Sequence, residues 1–330
     1  MKEFNIYDEN LNRIGTVGTW VSLVWSEGYN TIGSFQMELQ QKSTLLSLFK
    51  IGNYVGRSDF KTLCIIRSVE VNDGKIIVNG HPAAGILAER VSTTVIDNKN
   101  AETAMRSLVS EMAEWTCVEL GTLSNISDVF ARQISDKSVL AYCEEISAEI
   151  DAGFILRFDR TNKKLLFEVY KPTENKNLVF ATKFGNLANT IYSETDNNYK
   201  NVAVVAGAGK GDARITVIVG DTTSTGTARR ELYVDARNVQ PEENETEEKY
   251  KTRLGNYGLE KLAEQIKIKN VSAEVNTDDF GKRFELGDII TCILDDIGIK
   301  FTSRITGFTM TSQNNQTTIE LEFGTPIIRR

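Results

Sequence analysis

The polar and apolar positions of this chain alternate mostly with the period of β-strands, broken by a few helical stretches. Ser34-Phe-Gln-Met-Glu-Leu39 shows strict alternation, the mark of a strand with one buried face. Trp20–Trp25, Cys64–Val71 and Ile76–Asn79 are further strand-like runs, with a turn at Gly28–Gly33 and a short helix or turn at Leu45–Phe49. Residues 1–95 thus hold about six short strands, enough for a small barrel or sandwich, and are taken as a first β-barrel module. Ala83–Glu89 is expected to form a helical turn after Gly80-His81-Pro82.

The period then changes. Ala104, Met105, Leu108, Val109, Met112 and Trp115 recur at helical spacing behind a start at Asn100. A second helix is predicted over Lys137–Asp151, with Leu140, Cys143, Ile146 and Ile150 on one side and Gly153 as its stop. Phe154–Phe158 and Lys164–Tyr170 follow as a hairpin across Asp159–Lys163. Residues 96–185 are therefore expected to be an inserted α+β domain.

From Asn186 the β pattern returns. Asn201–Ala206 and Arg214–Val219 flank the loop Gly207-Ala-Gly209-Lys210-Gly211, and Leu232–Asp235 adds a short strand. The acidic run Glu242–Glu248 opens a predicted helix over about 242–268, its carboxylates at the positive end of the dipole. Tyr250, Leu254, Tyr257, Leu262 and Ile266 form its apolar stripe, weakened by Gly255 and Gly258. Val271–Val275, Ile289–Leu294, Ile299–Met310 and Thr318–Phe323 complete a second β-barrel module over residues 186–330. The expected class is α+β, mainly β: two similar small barrels, an inserted α+β domain and a long helix.

Two stretches repeat. Phe49-Lys-Ile-Gly52-Asn53-Tyr-Val55 leads to the strand at Cys64, a polar turn at Asn72-Asp73-Gly74 and a partner strand ending in Gly80. Phe284-Glu-Leu-Gly287-Asp288-Ile-Ile290 leads to the strand through Arg304 and Phe308, a polar turn at Gln313–Gln316 and a partner strand ending in Gly324. Glycine followed by Asn or Asp supplies the turn, and the alternation on either side buries one face. Any two hairpins share some of this pattern. The order apolar–x–apolar–Gly–Asn/Asp, long strand, polar turn and Gly-ending partner is what joins these two.

Composition adds exclusions. The 330 residues allow two or three domains, and 41% hydrophobic with 25% charged residues is ordinary for a globular protein. No apolar run of about 18 residues exists to span a membrane. A net charge of −7, with basic residues dispersed, gives no footprint for nucleic acid. The start Met1-Lys-Glu-Phe has no basic-then-apolar segment, so no secretory signal is expected. Cys64, Cys117, Cys143 and Cys292 are widely separated and sit in apolar patterns, as buried thiols do, and no cofactor or metal is expected.

Catalytic constellations are sparse. Gly207-Ala-Gly-Lys-Gly211 departs from a phosphate loop, because Lys210 is followed by glycine and then by a β-branched strand rather than a helix. The sole histidine, His81, lies between Gly80 and Pro82, where a turn residue explains it. The pairs Glu144/Glu145 and Asp295/Asp296 could be written as glycosidase carboxylates, although adjacent acids are common among 45 and Asp295-Asp296 falls at a hairpin turn.

The order of the soft motifs carries a resemblance. Tyr29-Asn-x-x-Gly33-Ser-Phe35, Gly52-Asn53-x-Val55, Ile65-Ile66-Arg67-Ser-Val69, Gly80 and Leu87-Ala-Glu-Arg90 come first. Gly185-Asn186-Leu187, Tyr199–Gly209, Arg229–Asp235, Gly258–Ala263 and Phe284-x-x-Gly287-Asp288 follow. Over nearly the whole chain this resembles the baseplate hub proteins of phage and prophage tails and of phage-tail-like bacteriocins (tailocins), especially the contractile, myophage type.

The resemblance implies a non-enzymatic homotrimer that joins the hexameric tail tube protein to the trimeric spike or tip protein. Other baseplate proteins, the tape measure among them, are further partners it implies, and the implied location is the baseplate of the virion tail, assembled in the bacterial cytoplasm. Two similar modules in each of three subunits give the six positions a hexameric ring requires. Gly207, Gly209, Lys210 and Gly211, with Gly52, Asn53, Gly287 and Asp288, are the candidate interface loops. The alternatives are a tail-associated cell-wall hydrolase, which needs a polar cleft with a perturbed carboxylate or His81, and a receptor- or sugar-binding tail protein, which needs clustered exposed aromatics. The end of the sequence at Arg330, soon after the second module, fits the short hub.

Overall fold

The computed structural model describes residues 3–111, 117–265, 268–276, 279–313, 316–324 and 327–328. Residues 1–95 contribute β1 (Phe4–Tyr7), β2 (Arg13–Val17), β3 (Ser22–Gly28), β4 (Phe35–Gln40), the single-turn α1 (Ser43–Leu46), β5 (Tyr54–Arg57), β6 (Cys64–Asn72), β7 (Lys75–Pro82) and β8 (Val91–Ser92). Next come β9 (Lys99–Asn100), α2 (Ala101–Ser110), β10 (Val118–Leu120), β11 (Val129–Phe130), β12 (Lys137–Ser138), α3 (Val139–Ile150), β13 (Gly153–Asp159), β14 (Lys164–Tyr170), β15 (Glu174–Ala181) and β16 (Ala188–Thr195). The rest is β17 (Val202–Ala206), β18 (Thr216–Gly220), β19 (Glu231–Asp235), α4 (Glu247–Ala263), β20 (Ile268–Val275), β21 (Ile289–Leu294), β22 (Ile299–Gln313), β23 (Gln316–Phe323) and β24 (Ile327–Ile328).

These elements form two compact units, residues 1–191 with 271–330, and residues 192–270. The mixed, mainly β class holds, but the strands do not close into barrels. In the first unit they run in the open order β20-β23-β22-β3-β4-β7-β6-β5-β1-β2. The physical reason is β22. Its first part pairs with β21, while Gly307–Gln313 takes β23 on one edge and Gly28–Ser22 of β3 on the other. An edge that would close a barrel is thereby satisfied by the other end of the chain. The three-part division at 95 and 185 therefore cuts differently from these units, since residues 186–330 are shared between them.

The repeat is real in three dimensions. Strand order β4-β7-β6-β5 recurs as β20-β23-β22-β21, every neighbour antiparallel. Both long strands carry a bulge, between Ile66 and Ser68 and between Ile305 and Gly307. Trp25 is fully buried on β3 and meets Phe4, Phe35 and Phe60 at ring-centroid distances of 6.1, 5.6 and 5.1 Å. Trp20 is half-buried and donates its indole N–H to the Ser312 hydroxyl; Trp115 and Met112 lie outside the described residues.

Between the modules, α2 and α3 bury Met105, Leu108, Tyr142 and Ile146 with Leu156 and Phe167 of the β13–β14 hairpin. Asn100 caps α2 by accepting from the Thr103 amide, and Ser138 caps α3 by accepting from the Ala141 amide. Lys137 and Ser138 pair with β8, so α3 starts after them. It ends at Asp151, which takes the left-handed cap conformation itself, while Gly153 opens β13.

In the second unit β17 lies between antiparallel β18 and parallel β19, and α4 covers one face with Tyr250 and Leu254. The helix begins at Glu247 rather than Glu242, because the Thr246 hydroxyl caps it and accepts from the Lys249 amide. Glu242–Glu245 form a separate turn, and Glu245 pairs with Arg253 at 2.7 Å. Helix α4 ends at Ala263, short of the predicted end at about residue 268, because Ile268 already opens β20; Ile266 of the expected stripe lies outside the described residues.

Candidate functional site

The expected interface residues fall into two kinds of position. Gly52 and Gly287 have φ of +92° and +90°, and their amides donate to the Ile66 and Ile305 carbonyls. Asn53 is buried, its side-chain amide donating to the Leu48 carbonyl at 2.8 Å, whereas Asp288 is half-buried and accepts from the Glu285 amide. These four residues shape the two turns. Gly209, Lys210 and Gly211 instead lie exposed at the tip between β17 and β18. Gly207 is buried beneath them, and the next amide, of Ala208, donates to the Tyr250 hydroxyl at 2.8 Å.

A concavity lies elsewhere. A cleft of about 480 Å³ in the first unit is lined by the end of β3, the 59–62 loop, the β13–β14 hairpin and the turn before β21. Glu27 sits in its wall. Leu23, Trp25 and Glu27 share the inward face of β3, so a carboxylate stands where alternation calls for an apolar residue. That break in the pattern is the sequence signal by which Glu27 could have been found. Its Oε1 accepts from the Trp25 indole N–H at 2.8 Å and the Thr62 hydroxyl at 2.5 Å. Burial pushes its carboxyl above the usual range, against the opposing effect of those two hydrogen bonds.

The other charges of the cleft are matched. Arg157 grips Glu168 with two hydrogen bonds of 2.9 and 2.7 Å, which hold the Glu168 carboxyl below its ordinary range. Lys61 pairs with Glu285 at 2.5 Å, and Arg57 with Asp59 at 2.7 Å. Phe60, Phe280 and Phe308 form one aromatic wall, with centroids 4.3 Å apart for Phe280 and Phe308. Burial drives the hydroxyl of Tyr170, which also lines the cleft, far above its normal pKa.

One wall depends on Glu102, a second carboxylate missed in the sequence. It is 1% exposed on the first turn of α2, and its two oxygens accept from the Ser124 and Ile126 amides at 2.7 and 2.8 Å. It fastens the 122–126 loop from which Thr122 and Ser124 face the cleft.

The other singled-out chemistry does not converge. His81 places Nδ1 2.9 Å from the Pro82 carbonyl and receives Arg67 Nε at 3.4 Å, outside the cleft. Asp295 and Asp296 form the turn between β21 and β22, as expected. Cys64, Cys143 and Cys292 are buried, with Cys292 pushed up to about 12 by burial, and Cys117 is half-buried. Among the described residues no group of His, Cys, Asp and Glu could hold a metal ion, and no helix is long and apolar enough to cross a membrane.

The sequence profile of a family described as Siphovirus ReqiPepy6 Gp37-like protein matches residues 3–325. None of the curated proteins matches the sequence. The fold is similar to that of a tail protein from Neisseria meningitidis, with TM-score 0.63, 13% identity and coverage of 98% of this chain and 97% of that one. It is equally similar to the 43 kDa tail protein of prophage MuSo2 from Shewanella oneidensis, at TM-score 0.63, 10% identity and 98% coverage of both. A prophage tail protein from Listeria monocytogenes aligns at TM-score 0.55 and 13% identity, covering 98% of this chain and 94% of that one.

Proposed function

The chain belongs to the Siphovirus ReqiPepy6 Gp37-like family of phage tail proteins, and we propose that it serves there as the trimeric hub joining tail tube to spike. The observation that carries this reading is the duplicated strand order with its matched turns at Gly52 and Gly287. Three copies of a chain with two related modules present six similar elements toward a sixfold ring and keep a threefold axis for a trimeric spike. The exposed tip at Gly209, Lys210 and Gly211 is the proposed contact loop, while Gly52, Asn53, Gly287 and Asp288 act by shaping the modules. Location in the tail of the virion, and contact with other baseplate proteins, belong to the same proposal. The family description names a siphovirus, so the proposal leaves aside the contractile type.

Light scattering of the purified chain, alone and with its spike protein, tests the reading. A mass of three times 36.8 kDa is expected. A monomer in both conditions, or a particle reconstruction with the chain away from the tube–spike junction, overturns it.

One observation favours a second reading, a cell-wall hydrolase: the cleft holds a carboxylate, Glu27, raised as a general acid requires. Two lining residues that could supply a second carboxylate, Glu168 and Glu285, are both paired to bases, which weakens this reading. Zymography on peptidoglycan decides, with clearing by the wild type and none by Glu27→Gln as the outcome that would favour the enzyme.

A further inference from the structure

We propose that the cleft in the first unit is a binding site for a cationic group on an apolar stem, an alkylammonium or guanidinium, with Glu27 as its counter-ion. The charge inventory of the walls leads there. The two bases that line the cleft, Lys61 and Arg157, are bound to Glu285 and Glu168, and the lining Asp59 is held by Arg57 from behind the wall. Glu27 has no basic partner among the described residues, and its hydrogen bonds come from two neutral donors to one oxygen. The half-buried carboxylate held this way keeps its second oxygen at the cleft wall without a partner among the described residues, and a cation placed there pairs the charge. An anion finds no free base in the cleft.

The aromatic wall selects for the stem. Phe60, Phe280 and Phe308 offer apolar surface and ring faces, on which a cation is attracted by the ring quadrupole. The chain already builds this arrangement from its own residues, where the buried Arg57 guanidinium lies 4.3 Å from the Phe60 centroid while its nitrogens bind Asp59. A volume of about 480 Å³ matches one long side chain or a small diamine rather than a folded segment.

The site is separate from the hub reading and stands without it. Calorimetric titration of the full chain with N-acetyl-arginine amide, putrescine and the neutral isostere N-acetyl-citrulline amide tests it. At least one cation is expected to bind tenfold or more tightly than citrulline amide. Glu27→Gln, which keeps an oxygen for Trp25 and Thr62, should remove that preference, and Phe280→Leu should weaken cation binding several-fold. A stronger response to arginine amide assigns the site to a basic side chain of a partner protein, and a stronger response to putrescine to a free polyamine. Equal binding of citrulline amide, binding of none of the three, or wild-type affinity in a normally folded Glu27→Gln variant overturns the proposal. Should Glu27→Gln fail to fold, the arginine-to-citrulline ratio of the wild type and the Phe280→Leu variant decide alone.

Discussion

Gly52 and Gly287 occupy equivalent corners of two repeated modules: each has φ near +90°, and each donates its amide to the isoleucine preceding a β-bulge, at 3.0 and 2.8 Å. The return bonds match too, Ile66 to the Asn53 carbonyl and Ile305 to the Asp288 carbonyl, both at 2.9 Å. The surroundings differ, and that difference is testable. A Cβ at Gly52 meets nothing within 4 Å, whereas one at Gly287 lies 2.4 Å from the Tyr29 ring. Gly52→Ala should therefore cost only the backbone strain of a left-handed alanine, about 1 kcal/mol. Gly287→Ala adds overpacking and should cost about 2–4 kcal/mol in urea unfolding. Equal costs at the two positions would contradict this account.

Helix α4 carries two glycines that oppose its own propensity, and they answer to different neighbours. A Cβ on Gly258 would stand 2.3 Å from the Val205 Cγ2, while one on Gly255 would sit 3.3 Å from the Val219 Cγ1. Alanine in a helix gains up to about 1 kcal/mol over glycine. Gly255→Ala should thus be neutral or gain about 0.5 kcal/mol, and Gly258→Ala should lose about 1–2 kcal/mol as α4 is pushed off its sheet. Thermal melts of the two variants check the opposite signs.

Glu102 is expected to matter more than its place on a helix suggests. Replacing it by alanine leaves the Ser124 amide and the buried Ile126 amide without their carboxylate acceptor, at a cost of about 3 kcal/mol. Hydrogen exchange should show the loss first at those two amides, before α2 itself opens. Protection retained at Ser124 and Ile126 in Glu102→Ala would show that the loop is held by other contacts.

Local chemistry was legible in the sequence wherever a residue type answers to its own backbone. Gly52-Asn53 and Gly287-Asp288 announced matching turns because few other pairs tolerate that geometry. The hairpin across Asp159–Lys163 and the cap at Asn100 were visible for the same reason. Partner choice was not. Alternation in Ile299–Gln313 and in Trp20–Trp25 shows a buried face but carries no sign that β22 pairs with β3, nearly the whole chain away, instead of closing a barrel. The cleft was hidden likewise, because Glu27, Phe60, Arg157 and Phe280 come together only through that long-range pairing and the packed insertion.

The raised Glu27 carboxyl also sets a pH dependence. A carboxyl whose folded pKa lies above its unfolded value, near 4.5, binds its proton more tightly in the folded state. Its contribution to stability is complete below that unfolded value and is lost as pH rises through the folded pKa. Glutamine at position 27 does not titrate, so the melting temperature of Glu27→Gln minus that of the wild type should increase from pH 4.5 upward and level off once Glu27 is ionised. Taking the difference cancels the carboxyls that are depressed in both proteins, such as Glu168 beside Arg157, whose stabilisation is lost toward acid pH. Asp59, Lys61, Arg157, Glu168, Tyr170 and Glu285 also face the cleft, and a flat difference across the range would mean that they offset the burial of Glu27 in the folded protein. Added arginine amide should flatten the same curve, because a cation at the carboxylate favours its ionised form and lowers its folded pKa.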